Sequence, residues 1–125
     1  MSSLRSVLVG QRDLDRIHAL LRNAQTEQGR LLYDELDAAT VVPDDMLPDD
    51  VVTMHSTVSF ADLATGVVST VTLVYPDEVG RTPQGVSILA PVGAALIGLR
   101  VGEVIEWPLP NGGARKIEVV AVAAP

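Results

Sequence analysis

Residues 87–113 constrain the fold of this 125-residue chain more than any other part of the sequence. An apolar run ends at Ala90, and Pro91 suits the first position of a helix because that position needs no N–H donor. About two apolar turns follow, and Gly98 stands where a helix end favours a residue that tolerates positive φ. The pattern then changes to the alternation of a strand from Val104. The stretch predicts one short helix followed by a strand.

Other segments predict the rest of a sheet. Residues 67–74 are rich in β-branched residues. Residues 52–60 alternate as in a strand, and the face predicted to point inward consists of Val52, Met54, Ser56, Val58 and Phe60. A turn signal at residues 62–66 separates these two segments, and another at residues 110–113 precedes a last strand, residues 115–122. We therefore expect a twisted antiparallel sheet that carries the short helix.

Two helical stripes come before this sheet. Leu14, Ile17 and Leu21 fall on one face of a helix from about residue 12 to 22, and residues 30–40 carry a second stripe. Two amphipathic helices joined by a short loop are best satisfied as an antiparallel hairpin. Residues 41–50 contain two prolines and four acids without a regular period, which is typical of a linker.

These segments together define an α+β protein. We divide it into an N-terminal helical hairpin, residues 1–40, an acidic linker, residues 41–50, and a C-terminal domain, residues 51–125.

The charge of the chain limits its partners. Its formal net charge is −7, so it lacks the excess of lysine and arginine with which proteins neutralise DNA phosphates. It has no cysteine, which excludes disulfides and Cys-based zinc sites and fits a reducing compartment. No apolar run approaches the roughly 20 residues that a membrane span needs. We expect a cytoplasmic protein that contacts other proteins and neither DNA nor membranes.

The candidate chemical groups do not form a site. The two histidines, His18 and His55, have no partner at catalytic or metal-ligand spacing, so we expect structural roles for both. The glycines at 93, 98 and 102 lack the lysine and hydroxyl residue of a phosphate-binding loop. The sequence therefore predicts no catalytic residue, no metal site and no cofactor.

A resemblance to a known family sharpens this outline. Residues 91–98, PVGAALIG, with Glu103 and a strand–Asn-Gly-Gly–strand ending, resemble the carboxy-terminal FKBP-like domain of the bacterial Gre transcript-cleavage factors. Residues 73–76, 86–93 and 106–110 resemble more closely the Rnk family, the short Gre relatives called regulators of nucleoside diphosphate kinase. The resemblance extends from about residue 42 to 122.

The resemblance implies a non-enzymatic protein that binds RNA polymerase. In Gre factors the FKBP-like domain docks on the rim of the polymerase secondary channel through the loop after its second strand and the start of its short helix. The matching positions in this chain are Pro76, Asp77, Glu78, Ala90 and Pro91.

The hairpin tip argues against cleavage activity. In Gre factors two acids at the tip of a long coiled coil help to hold a catalytic magnesium ion. The predicted tip of this chain, Gln25, Thr26, Glu27 and Gln28, carries one acid, which makes a poor magnesium site. Arms of about 11 residues would also reach only about 17 Å. We expect a monomer that occupies the channel entrance without stimulating transcript cleavage.

Two alternatives remain open. The protein could regulate an enzyme of nucleotide metabolism such as nucleoside diphosphate kinase. A peptidyl-prolyl isomerase is less favoured, because an FKBP-type pocket needs several aromatic residues and the predicted domain offers mainly Phe60 and Trp107.

Overall fold

The computed structural model describes residues 7–22, 27–108 and 113–125. The strands in these ranges are β1 Leu8–Gly10, β2 Thr40–Val42, β3 Thr57–Asp62, β4 Val68–Val74, β5 Gly85–Ser87, β6 Val104–Pro108 and β7 Ala114–Ala123. The helices are α1 Gln11–Leu21, α2 Glu27–Asp37 and α3 Pro91–Leu96, with 3₁₀ helices at Asp44–Met46 and Pro76–Arg81. This order confirms a mixed helix and sheet architecture.

The larger sheet has five strands in the order β5-β4-β3-β7-β6. The pairings of β3 with β4, β3 with β7 and β6 with β7 are antiparallel, as predicted. The prediction of a wholly antiparallel sheet is wrong at one edge, because β5 pairs with β4 in parallel. The segment between them includes the 3₁₀ helix Pro76–Arg81 and carries the chain back along the sheet, so that β5 runs in the same direction as β4.

A second, two-stranded sheet joins the two ends of the helical region. β1 and β2 are parallel, with Leu8 opposite Thr40 and Gly10 opposite Val42. The predicted linker, residues 41–50, therefore contributes its first residues to a strand and continues into the 3₁₀ helix Asp44–Met46. The division of the chain into three parts stays a prediction.

The two helices of the N-terminal region lie close to their predicted positions. α1 confirms the first, whereas α2 begins at Glu27 and ends at Asp37, about three residues earlier than expected. Thr40 belongs to β2 instead of the helix, because its N–H donates to the carbonyl of Val7 at 2.9 Å. The helices contact each other through the stacked rings of His18 and Tyr33, whose centroids are 4.8 Å apart.

One hydrophobic core joins the helices to the sheet. Ile17 of α1, Leu36 of α2, Leu73 of β4, Leu96 of α3 and Ile117 of β7 are each no more than 1% exposed and belong to the same cluster. Burial of apolar side chains contributes the main favourable term in folding. The helical region and the sheet therefore share their largest source of stability.

The predicted alternation of residues 52–60 is confirmed in burial and corrected in secondary structure. The inward-facing residues of the prediction are all buried: Val52, Met54, Ser56, Val58 and Phe60. The strand itself begins only at Thr57, because His55 has a φ of +71° and turns the chain before it.

An aspartate from the predicted linker caps α1. Gly10, at the N-cap, supplies no side-chain acceptor, and the Oδ1 atom of Asp44 accepts a hydrogen bond from the Arg12 N–H at 3.3 Å. A Cβ atom at Gly10 would collide with Asp44 Oδ1, so glycine leaves room for this contact. The cap therefore comes from a residue 32 positions away.

We expect Asp44→Ala to lower the free energy of unfolding by about 1 kcal/mol, the usual effect of losing a helix cap. Urea denaturation followed by circular dichroism measures the change. Asp45→Ala is the matched control, because Asp45 is the exposed neighbour of Asp44 in the same 3₁₀ helix. Equal stability of the two variants would show that the Asp44 carboxylate does not cap α1.

Candidate interaction surface

The five residues that the resemblance assigns to a docking surface lie in two segments. Pro76, Asp77 and Glu78 open the 3₁₀ helix after β4, whereas Ala90 and Pro91 stand at the start of α3, after β5. β4 and β5 are parallel neighbours, and the carboxyl ends of parallel neighbours lie at the same edge of a sheet. The structure therefore brings the two segments to one end of the sheet.

Backbone hydrogen bonds fix the start of α3 against the end of β4. The Ile88 N–H donates to the carbonyl of Val74 at 2.8 Å, and the Ala90 N–H donates to the carbonyl of Ser87 at 2.9 Å. Pro91 then begins the helix as predicted. The relative position of the two segments is thus set by main-chain contacts.

The side chains of this surface differ in exposure. Pro76, Asp77 and Pro91 are exposed, and Ala90 is partly buried. The Asp77 side chain is 80% exposed and lies 3.8 Å from the Arg81 guanidinium. An ion pair this exposed contributes little to stability. Asp77 therefore presents a negative charge to the solvent.

Glu78 is partly exposed, but its carboxylate is engaged by groups of the same chain. Its Oε1 atom accepts a hydrogen bond from the Tyr75 N–H at 2.9 Å and lies 2.9 Å from His55 Nε2. Its own N–H donates to the Tyr75 carbonyl at 2.9 Å. A glutamate that reaches back to the N-cap N–H in this way closes the first helical turn.

A tight turn before β3 presents His55 to Glu78. The His55 N–H donates to the carbonyl of Leu73 at 2.6 Å, and the hydroxyls of Thr53 and Ser56 lie 2.7 Å apart across the turn. The His55 ring also meets the Tyr75 ring edge-on, at a centroid distance of 5.7 Å. These contacts give His55 a structural place in the fold.

Helix α1 contacts the same region from the other side. Asp13 Oδ2 accepts a hydrogen bond from the Met54 N–H at 3.1 Å, and Arg16 Cζ lies 4.1 Å from the centroid of the Tyr75 ring. Burial raises the pKa of Asp13, partly offset by the Met54 N–H. Burial also raises the pKa of Tyr75 to about 12, so its phenol is protonated at neutral pH.

The hairpin tip is only partly described. Gln25 and Thr26 lie outside the described residues, whereas Glu27 and Gln28 begin α2. His18, three residues before the end of α1, has its Nε2 atom buried without a hydrogen-bond partner among the described residues. Its described ring contact is the stacking on Tyr33.

The described ranges contain neither a cluster of metal-binding side chains nor a membrane-spanning helix. Residues 7–22, 27–108 and 113–125 hold no group of three or more histidine or carboxylate side chains that could bind a metal ion. Within the same ranges, no helix has both the length and the apolar character to cross a membrane.

Glu78 predicts a measurable dependence of stability on pH. The Tyr75 N–H and then the His55 ring lower the pKa of Glu78 from its ordinary value of 4.5. A carboxyl with a lowered folded-state pKa stabilises the fold above the unfolded pKa, and this contribution is lost as the pH falls through the folded pKa. We expect Glu78→Gln to remove it, so that the Tm gap between wild type and variant narrows on acidification.

The measurement is thermal unfolding of both proteins between about pH 6 and about pH 3, the range in which a carboxyl of this kind titrates. Asp77→Asn is the control, since the neighbouring Asp77 carboxylate is exposed. A Tm gap of constant size across the range would contradict the proposed role of the Glu78 charge.

Reasoning from the sequence missed the contacts among Asp13, His55 and Glu78. One local signal was present, because Glu78 stands three residues after Tyr75 with proline between them, the spacing of a capping glutamate. No signal pointed to His55 or Asp13, which meet their partners 23 and 41 residues away.

Comparison with known proteins identifies the class to which this fold belongs. Residues 47–124 match the family model described as transcription elongation factor GreA/GreB, C-terminal. The match covers more than half of the chain, so the chain belongs to the GreA/GreB family. This confirms the resemblance recognised from residues 91–98.

The chain is also similar in sequence to individual proteins of this family. The chain is 42% identical over 118 residues to the regulator of nucleoside diphosphate kinase of Escherichia coli (strain K12), covering 92% of this chain and 87% of that protein. It is 33% identical to transcription elongation factor GreA of Syntrophus aciditrophicus (strain SB), covering 73% of this chain and 56% of that protein.

Solved structures agree with these sequence matches. A GreA/GreB transcription elongation factor from Nitrosomonas europaea superposes with a TM-score of 0.79 at 38% identity, covering 96% of this chain and 99% of that one. Gfh1 of Thermus aquaticus, at a TM-score of 0.53 and 23% identity, shares the fold.

Proposed function

We propose that this protein is a regulator of transcription that binds RNA polymerase at the entrance of the secondary channel and does not stimulate transcript cleavage. The observation that carries the proposal is the meeting of two segments at one end of the sheet. Pro76–Glu78 and Ala90–Pro91 are the positions that the Gre resemblance assigns to polymerase docking, and they lie at the same sheet edge.

The charge of this surface favours a basic partner. Asp77 is 80% exposed, and the chain carries a net charge of −7. Complementary charges steer association and raise its rate. The partner region that meets Asp77 therefore carries lysine or arginine side chains.

The helices support binding without cleavage. α1 and α2 have 11 residues each, and at 1.5 Å per residue each spans about 17 Å. The segment that joins them, with the start of α2, contains Glu27 as its one acid. A second catalytic magnesium ion needs converging carboxylates. The protein acts by occupying the entrance and excluding longer factors.

The same proposal covers the parts of the chain, the cellular location and the oligomeric state. In the region of residues 1–40, helices α1 and α2 form a short coiled-coil hairpin, and residues 51–125 form an FKBP-like docking domain, with residues 41–50 between the two. The protein works as a cytoplasmic monomer without a cofactor. The relatives found are named as regulators or transcription factors rather than enzymes, which supports a non-enzymatic role.

A transcript-cleavage assay on stalled elongation complexes tests the proposal. We expect no shortening of the RNA 3′ end when the protein is added alone. We expect slower Gre-stimulated shortening when both proteins are present, because both compete for one entrance. Direct binding to polymerase is measured in parallel by biolayer interferometry.

Two results would contradict the proposal. Transcript shortening by the protein alone, abolished by Glu27→Gln, would show that it is a cleavage factor. Full Gre activity in the presence of saturating protein would show that the two do not share a binding site.

A second candidate partner comes from the name of one relative. The Escherichia coli protein at 42% identity is called a regulator of nucleoside diphosphate kinase. A direct role on that enzyme would change the rate of phosphate transfer between nucleotides when purified protein and purified kinase are mixed. An unchanged rate, together with slowed Gre cleavage, would favour polymerase as the direct target.

A further inference from the structure

We propose that the two adjacent acids of this surface have different functions: Asp77 presents its charge to the partner, whereas Glu78 is a positioning residue that His55 holds in place. The inference rests on the proposed docking of this surface on RNA polymerase. It assigns a specific role to His55, which lies outside the five predicted contact residues.

The geometry separates the two carboxylates. The side chain of Asp77 is 80% exposed, and its ion-pair partner among the described residues is the exposed Arg81, 3.8 Å away. The side chain of Glu78 is 29% exposed and is occupied by the Tyr75 N–H and by His55 Nε2, each 2.9 Å from Oε1. A carboxylate in two internal contacts would lose them on turning outward to meet a partner.

His55 is placed for this task by its backbone. Its φ of +71° lies in the left-handed region, which non-glycine residues seldom adopt and which favours asparagine, aspartate and histidine. Its N–H donates to Leu73, the residue before the last position of β4, at 2.6 Å. The ring is therefore anchored to the strand that leads into Pro76–Glu78, and it reaches both Glu78 oxygens, at 2.9 Å and 3.2 Å.

The consequence is a fixed first turn for the segment that carries Asp77. Glu78 bonds the Tyr75 backbone twice, through its carboxylate and through its own N–H, so residues 75–78 form a closed turn. Pro76 adds a restricted φ within that turn. Asp77 lies within this turn, so its backbone angles are restricted. The restriction fixes the direction in which the Asp77 side chain starts from the backbone.

Matched substitutions at the two positions separate the roles. At position 78, glutamine keeps an oxygen that can accept from the Tyr75 N–H, whereas alanine does not. We expect Glu78→Ala to weaken polymerase binding by about tenfold through faster dissociation, as the loss of a charged hydrogen bond would do. Glu78→Gln should recover most of this loss.

At position 77 we expect asparagine to restore no more binding than alanine does. If Asp77 acts through its charge, Asp77→Asn and Asp77→Ala should lower the association rate equally, by about fivefold at low salt, and both should flatten its salt dependence.

Binding equally weak in Glu78→Gln and Glu78→Ala would mean that Glu78 contacts the partner by its charge, and would overturn the proposal. Unchanged association of Asp77→Asn would overturn it as well.

His55→Asn tests whether His55 holds Glu78 in place. Asparagine tolerates the left-handed backbone but cannot reach Glu78 in the same way. We expect His55→Asn and Glu78→Ala to weaken binding less together than the sum of their separate effects, since one acts through the other. Asp77→Asn should add independently to either. Additive effects of His55→Asn and Glu78→Ala would overturn the proposed dependence.

A measurement on the free protein distinguishes failure of this inference from failure of the proposed function. Hydrogen exchange of the Tyr75 amide, followed by NMR, should be about fivefold faster in Glu78→Ala and in His55→Asn, and unchanged in Asp77→Asn. If wild-type protein does not bind polymerase, the proposed function fails and faster exchange still supports the positioning pair. Unchanged exchange in Glu78→Ala would overturn the positioning role whatever the partner.

Discussion

Gly93→Ala is expected to lower the free energy of unfolding by about 3 kcal/mol, near the upper end of the usual cost of overpacking. Gly93 is buried in α3, and an added Cβ atom would collide with the carbonyl oxygen of Ser87 and approach Leu73 Cδ1 to 3.1 Å. The Ser87 carbonyl cannot move freely, because it belongs to β5 and accepts the Ala90 N–H. The methyl group would therefore push α3 away from the sheet.

Chemical denaturation measures this effect against a matched glycine. Gly80 lies in the exposed 3₁₀ helix and has no heavy atom within 4 Å of an added Cβ, so Gly80→Ala should change stability by less than about 0.5 kcal/mol. Because α3 begins at Pro91, Gly93→Ala should also weaken polymerase binding where Gly80→Ala does not. Similar stability of the two variants would mean that α3 does not pack against β5 as closely as described.

Leu36→Ala is expected to lower the free energy of unfolding by about 3 kcal/mol, within the range for large-to-small changes in a core. Leu36 lies on α2, is 1% exposed and belongs to the cluster that includes Leu73 and Ile117 of the sheet. A cavity at this point weakens the cluster that the helices and the sheet share. The whole chain should therefore unfold in one transition at a lower temperature.

Differential scanning calorimetry tests the number of transitions as well as their position. Asp34→Ala is the control on the same helix, since Asp34 is exposed. Two transitions, of which Leu36→Ala lowers only one, would contradict a shared core. That result would support a C-terminal domain, residues 51–125, that unfolds separately from the helical region.

Local patterns determined the elements of this protein. The helical stripe of Leu14, Ile17 and Leu21 predicted α1, and the proline and glycine that bound α3 predicted its start and its end. Gly98 has the expected positive φ, +81°. The alternation of residues 52–60 predicted which side chains are buried. Each of these signals depends on the period of a helix or strand, or on the backbone preference of one residue, and is complete within a few positions.

The resemblance to a known family predicted the candidate surface, but only as two separate segments. Pro76–Glu78 and Ala90–Pro91 were recognised by resemblance, while the exposure of Asp77 and the internal contacts of Glu78 required the structure. A carboxylate has the same sequence signature whether it faces solvent or a histidine. The difference between the two acids comes from a residue 23 positions away.

Tertiary structure alone decided how distant parts meet. It paired β1 with β2 in parallel, turned β5 to run alongside β4, and brought Asp44 to the N-terminus of α1 and Asp13 to the Met54 N–H. These contacts satisfy backbone groups that have no local partner, and buried backbone groups must find one. The chain could have met that requirement in several ways. The choice among them depends on how the whole core packs, and no period along the sequence records that packing.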